Sequence, residues 1–160
     1  MFAGELGLTM LKSSVYPYPE ADRGVHEFTY SLYAHKNALV ESNTIKMAYD
    51  LNNPLQCVKF DSDKSGTLKR YCLAKCNKHN VIIDHIKMAE QENAVIIRLY
   101  ETNYIRTDVQ VKLGFSYAKA FYCDLMENNI KELYCEQNDS FSFTIKPFEI
   151  VSIKLILPND

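Results

Sequence analysis

The stretch "DRGVHEFTYSLYAH" (22–35) holds Asp22, Arg23, His26, Glu27 and His35, nearly the full set of side chains for acid–base or metal chemistry. A positioned imidazole or carboxylate can act as a general acid or base, and an arginine fork suits hydroxyls or a carboxylate. Spacing decides whether they cooperate. The period-two pattern of a half-buried strand puts His26, Phe28, Tyr30 and Leu32 on one face and Glu27, Thr29, Ser31 and Tyr33 on the other. His26 and Glu27 then point apart, so His26 is expected to be packed and hydrogen-bonded rather than catalytic. Glu20 and Asp22 lie close in sequence, but an extended loop fixes no separation between them, as paired carboxylate chemistry requires.

Two other clusters carry ligand-type residues. "DSDKSG" (61–66) has the oxygens and glycine of the first half of a calcium loop, but the closing bidentate carboxylate falls on Cys72, so a polar turn is the expectation. Cys72, Cys76 and His79 are soft ligands close together. A structural zinc site normally takes four ligands in two separated pairs, and no second pair follows. No metal site is assigned. His85, with Asp84 beside it, reads as structural. The five glycines are scattered, and no phosphate-binding loop, nucleophile elbow or zinc-protease helix occurs.

The elements that would position these residues follow from composition and period. At 160 residues, 47% hydrophobic and 24% charged, the chain can bury a core and is not disordered. A net charge of −2 offers no basic field for nucleic acid. No apolar run approaches the roughly 18 residues that span a bilayer, and the N-terminus lacks the pattern of a signal peptide. Five cysteines, an odd number, without such a signal read as reduced thiols in a cytoplasmic chain.

Leu6-Leu8-Met10 and Phe28-Tyr30-Leu32 alternate as strands around the proline-containing loop "SSVYPYPEADRG". Val40, Thr44, Met47, Ala48 and Leu51 fall on one side of a helix that "NNPL" ends. Residues 61–80 are polar and turn-rich, as a connector or long hairpin. Beyond them, "VIIDHIKMA", "AVIIRLYE", "DVQVKL", "FSYAKAFYC", "KELYC", "SFSFTI" and "EIVSIKLIL" read as strands of an antiparallel sandwich. The first could also line a helix through Ile82, Ile83, Ile86 and Ala89; the turn "EQEN" and the strand after it favour a hairpin.

"LTMLKSSVYPYPEADRGVHEFTYSLYAH" resembles the late segment of glycoside hydrolase family 38 α-mannosidases, where an Asp-x-Gly-x-His-x-Phe-x-Tyr strand is followed by a Pro-His pair. Asp22, Gly24, His26, Phe28, Tyr30 and His35 stand at those positions, with Ala34 in place of the proline. "YDLNNPL", "IKMAEQENAVIIRLYE" and "KPFEIVSIKL" are similar to later family motifs, in order. The resemblance implies a mainly β chain: the last strands of a larger supersandwich and one short helix (1–55), a connector (56–79) and a small C-terminal β-sandwich (80–160).

It also implies that zinc, the nucleophile and the acid/base belong to a catalytic domain with no counterpart in this chain. The chain carries no catalytic residue and no cofactor, and is expected to be an accessory part, inactive alone. Asp22 and Arg23 are then the residues expected to touch substrate, because this β region folds back toward the sugar cleft in the family; Arg23 paired with Asp22 or Glu20 on the surface is the alternative. The expected partners are a catalytic α-mannosidase domain or a second copy, and mannose-containing glycans. A freestanding carbohydrate-binding sandwich, with Tyr16, Tyr18 or Tyr104 as stacking faces, is the second reading.

Overall fold

The computed structural model describes residue 4 and residues 7–59, 70–135 and 137–158. A 3-10 turn at Leu39–Glu41 precedes helix α1 (Thr44–Asn52), and eight strands follow: β1 (Ala74–Cys76), β2 (Val81–Met88), β3 (Ala94–Glu101), β4 (Thr107–Leu113), β5 (Lys119–Cys123), β6 (Asn129–Leu133), β7 (Ser140–Ile145) and β8 (Ile150–Ile156). They form two antiparallel sheets, β1-β4-β7 and β2-β3-β8-β5-β6.

Alternation builds the core. In β4, Val109, Val111 and Leu113 are buried while Asp108, Gln110 and Lys112 are exposed; β7 likewise buries Phe141, Phe143 and Ile145. Val95, Ile97 and Leu99 of β3, with Val151, Ile153 and Leu155 of β8, join them in one hydrophobic cluster. These two central strands are also covered on their outer face, so their buried residues run nearly without interruption. There Lys154, opposite Ile96 in the register, is buried and paired with Glu92. The turn after β5 helps to cover this face: Arg98 Nη2 donates to the Leu125 carbonyl at 3.2 Å and the Glu90 amide to Glu127 Oε2 at 2.9 Å.

The hairpin of β2 and β3 forms as expected, with one irregularity. The pairing shifts between Ile83 and His85, leaving Asp84 unmatched in the ladder. At this bulge the Asp84 carbonyl accepts the Tyr49 hydroxyl of α1 at 3.2 Å; after β3, the Asn103 side-chain amide donates from Nδ2 to the Val40 carbonyl at 2.8 Å. These two bonds link the helical segment to the sandwich.

Four expectations are corrected. First, neither Leu8-Met10 nor Phe28-Tyr30-Leu32 lies in a strand, and every described residue from 7 to 40 is exposed; Leu6 lies outside the described residues. The alternation survives locally, since His26 stacks on Phe28 and Tyr33 on His35. A half-buried strand also needs a neighbouring strand for its backbone groups, and the described residues offer none. Second, of the face expected on α1 only Thr44 is partly buried; Ile45 and Tyr49 join it, while Met47, Ala48 and Leu51 are exposed, because the bulge and the Tyr49 bond select that side.

Third, β1 lies inside the stretch read as a connector, pairing Ala74–Cys76 with Leu113–Val111. Its lead-in packs tightly: a Cβ on Gly114 would sit 2.4 Å from the Cys72 carbonyl oxygen, so only glycine fits there. Fourth, β6 begins at Asn129, ahead of "KELYC", and is almost entirely exposed.

The core makes a direct prediction. Ile97 is fully buried, so Ile97→Ala should cost about 2–5 kcal/mol in chemical denaturation. Leu125→Ala, removing an exposed side chain, should stay within about 0.5 kcal/mol.

Candidate functional site

The loop that carries Asp22 and Arg23 is solvent-exposed throughout. Arg23 Nη1 donates to Glu20 Oε1 at 2.7 Å and the Arg23 amide to the Glu20 carbonyl at 3.1 Å. The arginine thus takes Glu20 rather than Asp22 as its partner. His26 Nε2 donates to the Asp22 carbonyl at 2.7 Å and His35 Nδ1 to the Asn37 carbonyl at 2.7 Å. Backbone bonds therefore orient both imidazoles. His85 Nδ1 pairs with Asp84 Oδ2 at the surface.

The soft-ligand cluster is not assembled. Cys72 Sγ donates to the Ala74 carbonyl at 3.4 Å, whereas Cys76 Sγ accepts from the Lys78 amide at 3.5 Å. Burial pushes the Cys76 thiol pKa above its usual value, disfavouring the thiolate a metal would need. Among the described residues no group of three or more His, Cys, Asp or Glu side chains is placed to hold a metal ion. Residues 61–66 lie outside the described residues.

The densest polar arrangement lies at one end of the sandwich. Glu101, the last residue of β3, is 2% exposed. Its Oε1 accepts the Asn80 side-chain amide at 2.9 Å and the Asn103 backbone amide at 2.7 Å, and its Oε2 accepts the Phe148 amide at 3.0 Å. Asn80, itself buried, also donates to Thr107 Oγ1 at 2.8 Å. Burial pushes the Glu101 carboxyl pKa up, but the bonds from Phe148, Asn80 and Asn103 outweigh it, and the balance lies below the usual value.

This carboxylate fixes two loops. Asn103 leads into Tyr104 between β3 and β4, and Phe148 lies between β7 and β8. Both aromatic residues have left-handed backbone, φ 61° at Tyr104 and 54° at Phe148, a conformation that costs an L-residue about 1–2 kcal/mol. Their rings meet with centroids 5.3 Å apart and an interplanar angle of 38°. Each stays well exposed, 71% for Tyr104 and 63% for Phe148.

Sequence reading named Tyr104 but neither Phe148 nor the carboxylate behind both. The available signal was one glutamate closing a strand that is apolar apart from Arg98, in "AVIIRLYE". Buried, such a charge demands several donors.

Glu101→Gln should cost about 1–3 kcal/mol, because the carboxamide sets a donor against an amide N–H and leaves buried groups unsatisfied. The pH dependence has a definite sign. A carboxyl whose folded pKa is depressed contributes fully above its unfolded value, about 4.3, and that contribution drains away as pH falls through the lower folded value. Denaturation midpoints measured from pH 7 downward should therefore fall less steeply in the glutamine variant than in the parent.

No helix among the described residues is long and apolar enough to cross a membrane. Residues 80–153 match the family model of the Glycosyl hydrolases family 38 C-terminal beta sandwich domain. The chain is 30% identical over 156 residues to Alpha-mannosidase 2C1 of Homo sapiens, an alignment covering 95% of this chain and 15% of that protein. It is 29% identical over 163 residues to Alpha-mannosidase G of Dictyostelium discoideum, covering 96% of this chain and 14% of that protein. With an Alpha-mannosidase of Saccharomyces cerevisiae the identity is 26% over 170 residues, covering 92% and 15%. The chain thus spans about 15% of the length of the curated relatives it matches. The sandwich built on the Glu101 clasp is a glycosyl hydrolase family 38 C-terminal β-sandwich domain.

Proposed function

We propose that this chain acts as the accessory β region of an α-mannosidase, cytoplasmic and inactive by itself, in partnership with a catalytic polypeptide. The observation that carries this reading is the alignment of 95% of the chain with a protein named as an α-mannosidase, of which it covers 15%. The described residues do not fit the zinc that the family resemblance implies, since they bring no three metal-ligating side chains together. No step is assigned to the metal here. The retaining mechanism expected of the assembled enzyme, attack on the anomeric carbon by a carboxylate, takes its reacting groups from the partner.

What this chain supplies is a docking surface and a substrate contact. Leu8, Leu11, Val25, Phe28, Tyr30 and Leu32 are exposed along a segment without a ladder of its own. Unpaired backbone next to apolar side chains favours strand addition to another sheet. Asp22 is the group assigned to sugar hydroxyls, and Arg23, held by Glu20, lies beside it as a donor.

The test is hydrolysis of 4-nitrophenyl α-D-mannoside. The purified chain with added zinc should show no turnover above a contaminant control. Co-expressed with the catalytic part of a family 38 enzyme, it should co-purify and support activity, and Asp22→Asn should raise KM of that assembly several-fold. Turnover by the chain alone that disappears with His26→Ala would overturn the reading, as would failure to associate with any catalytic part.

A further inference from the structure

The edges of the two sheets carry an inference that goes beyond an accessory role. An edge presents unpaired backbone groups and is a template for another strand, unless shortness, charge, a bulge or a cover blunts it. Three of the four edges are blunted: β1 is three residues long with Lys75 exposed, β2 is bulged at Asp84 and joined there to α1, and β6 exposes Lys131 and Glu132. β7 differs. Its six residues, "SFSFTI", include no charge and no proline, and its pairing with β4 has no break in register.

Pairing parity identifies the open groups. In an antiparallel pair, successive residues turn their N–H and C=O toward one neighbour and then away from it. The Leu113 amide donates to the Asp139 carbonyl at 2.8 Å, so Phe141, Phe143 and Ile145 face β4, and Ser140, Ser142 and Thr144 face the free side. Both ends of that row are capped. The Tyr117 amide and hydroxyl donate to the Asn138 and Ser140 carbonyls at 2.8 and 2.6 Å; beyond β7, the Lys146 amide donates to Glu149 Oε2 and its carbonyl accepts the Glu149 amide. Between the caps, Ser142 and Thr144 are exposed, and their backbone groups have no partner among the described residues.

Beside them there is room for one strand. The rings of Phe143 and Tyr122 meet edge to face, so β7 lies over β5, and no described strand lies over β6, the next in the larger sheet. Cavities of about 390 and 590 Å³ occupy this shelf, the first bordered by Tyr134, Cys135 and Ser142, the second by Tyr122, Lys131 and Thr144. A second sandwich paired edge to edge at β7 would drive into the overhanging β5–β6 hairpin. A single extended segment avoids that collision.

Residues 25–33 have the complementary need. Phe28, Tyr30 and Leu32 alternate with Thr29 and Ser31 in a segment that is exposed and has no ladder; as an added strand, one face would cover β6 and the other stay in water. Charge sets the direction. Arg106, Lys131 and Lys146 line the second cavity, and of these only Lys146 has an ion-pair partner among the described residues. The segment has Asp22 and Glu27 toward its N-terminal end and Lys36 beyond its C-terminal end, so an antiparallel run beside β7 brings its carboxylates to those cations. Helix α1, which follows the segment, is bonded to β2, at the opposite side of the larger sheet from β6. That placement favours another molecule as the donor. We propose that the β7 edge binds residues 25–33 of a second copy of this chain as an added strand. The reading above needs an acceptor on a catalytic polypeptide, whereas this acceptor lies on the chain itself and is tested without that polypeptide, so the two fail separately.

The experiment is sedimentation velocity of the full chain over a concentration series, repeated with Ser142→Pro, Thr144→Lys and Tyr30→Pro. Proline at 142 removes an N–H that faces away from β4 and so spares the ladder, while lysine at 144 sets a charge on the edge and leaves the backbone intact. Proline at 30 breaks the donor, which has no ladder to lose. The parent is expected to dimerise, and each variant to weaken self-association about tenfold or more with its melting temperature held. An equal mixture of the Ser142→Pro and Tyr30→Pro chains should associate, since one keeps the donor and the other the acceptor. A parent that stays monomeric at every concentration would overturn the proposal. So would dimers that survive Thr144→Lys, or a mixture that remains monomeric.

Discussion

A carboxylate buried without a counter-ion is the constraint on which this sandwich turns. Glu101 has no ion-pair partner among the described residues, and its charge is held by donors from three separate parts of the chain: Asn80 before β2, Asn103 after β3 and Phe148 before β8. Leaving a charge unsatisfied in that setting is costly, so the three segments must meet. Their meeting brings the ends of neighbouring strands β2, β3 and β8 together. Backbone bonds extend the same clasp: the Glu101 amide donates to the Glu149 carbonyl at 3.1 Å, and the Thr102 amide to the Asn80 carbonyl at 2.9 Å.

From that end the rest of the packing follows by layers. The two sheets close over an apolar core, while the outer face of the larger sheet takes polar residues that burial alone would penalise. Lys154 succeeds there because Glu92 faces it. Lys87 bridges Glu90 and Glu127 across the covering turn, and the hydrogen bonds it donates to those two carboxylates raise its pKa. Removing one member of such a set leaves the others exposed to a cost that the intact set avoids. The N-terminal segment has neither layer to join. Its apolar side chains therefore remain solvent-facing, which is why a partner surface enters the functional reading.

Legibility in the sequence followed the strength of local patterning. The apolar run "AVIIRLYE" coincides with β3, and the alternation of "DVQVKL" gives β4 both its place and its facing. The double reading of "VIIDHIKMA" has a structural cause. The shift after Ile83 puts Ile83 and Ile86, three residues apart, among the residues packed on the core, and that spacing imitates one helical turn. β1 was hidden because three residues at a sheet edge carry too little pattern. The aromatic pair was hidden for another reason: left-handed backbone is foreseen from glycine or asparagine, whereas at Tyr104 and Phe148 it accompanies the bonds that the Asn103 and Phe148 amides donate to Glu101. Asp22 and Arg23 were visible as residue types, but sequence could not choose Glu20 as the arginine's partner.

The unmatched residue in β2 has a consequence for how the helix is attached. Asp84 stands outside the ladder of an edge strand, and its carbonyl accepts the Tyr49 hydroxyl, a group that a strand on that side would otherwise have taken up. One surplus residue thus works as a socket for the helix. A deletion at this position would remove one of the two bonds between the helical segment and the sandwich and leave the Asn103–Val40 bond to hold it. The irregularity is therefore one of two points at which a change in the sandwich reaches the helical segment upstream.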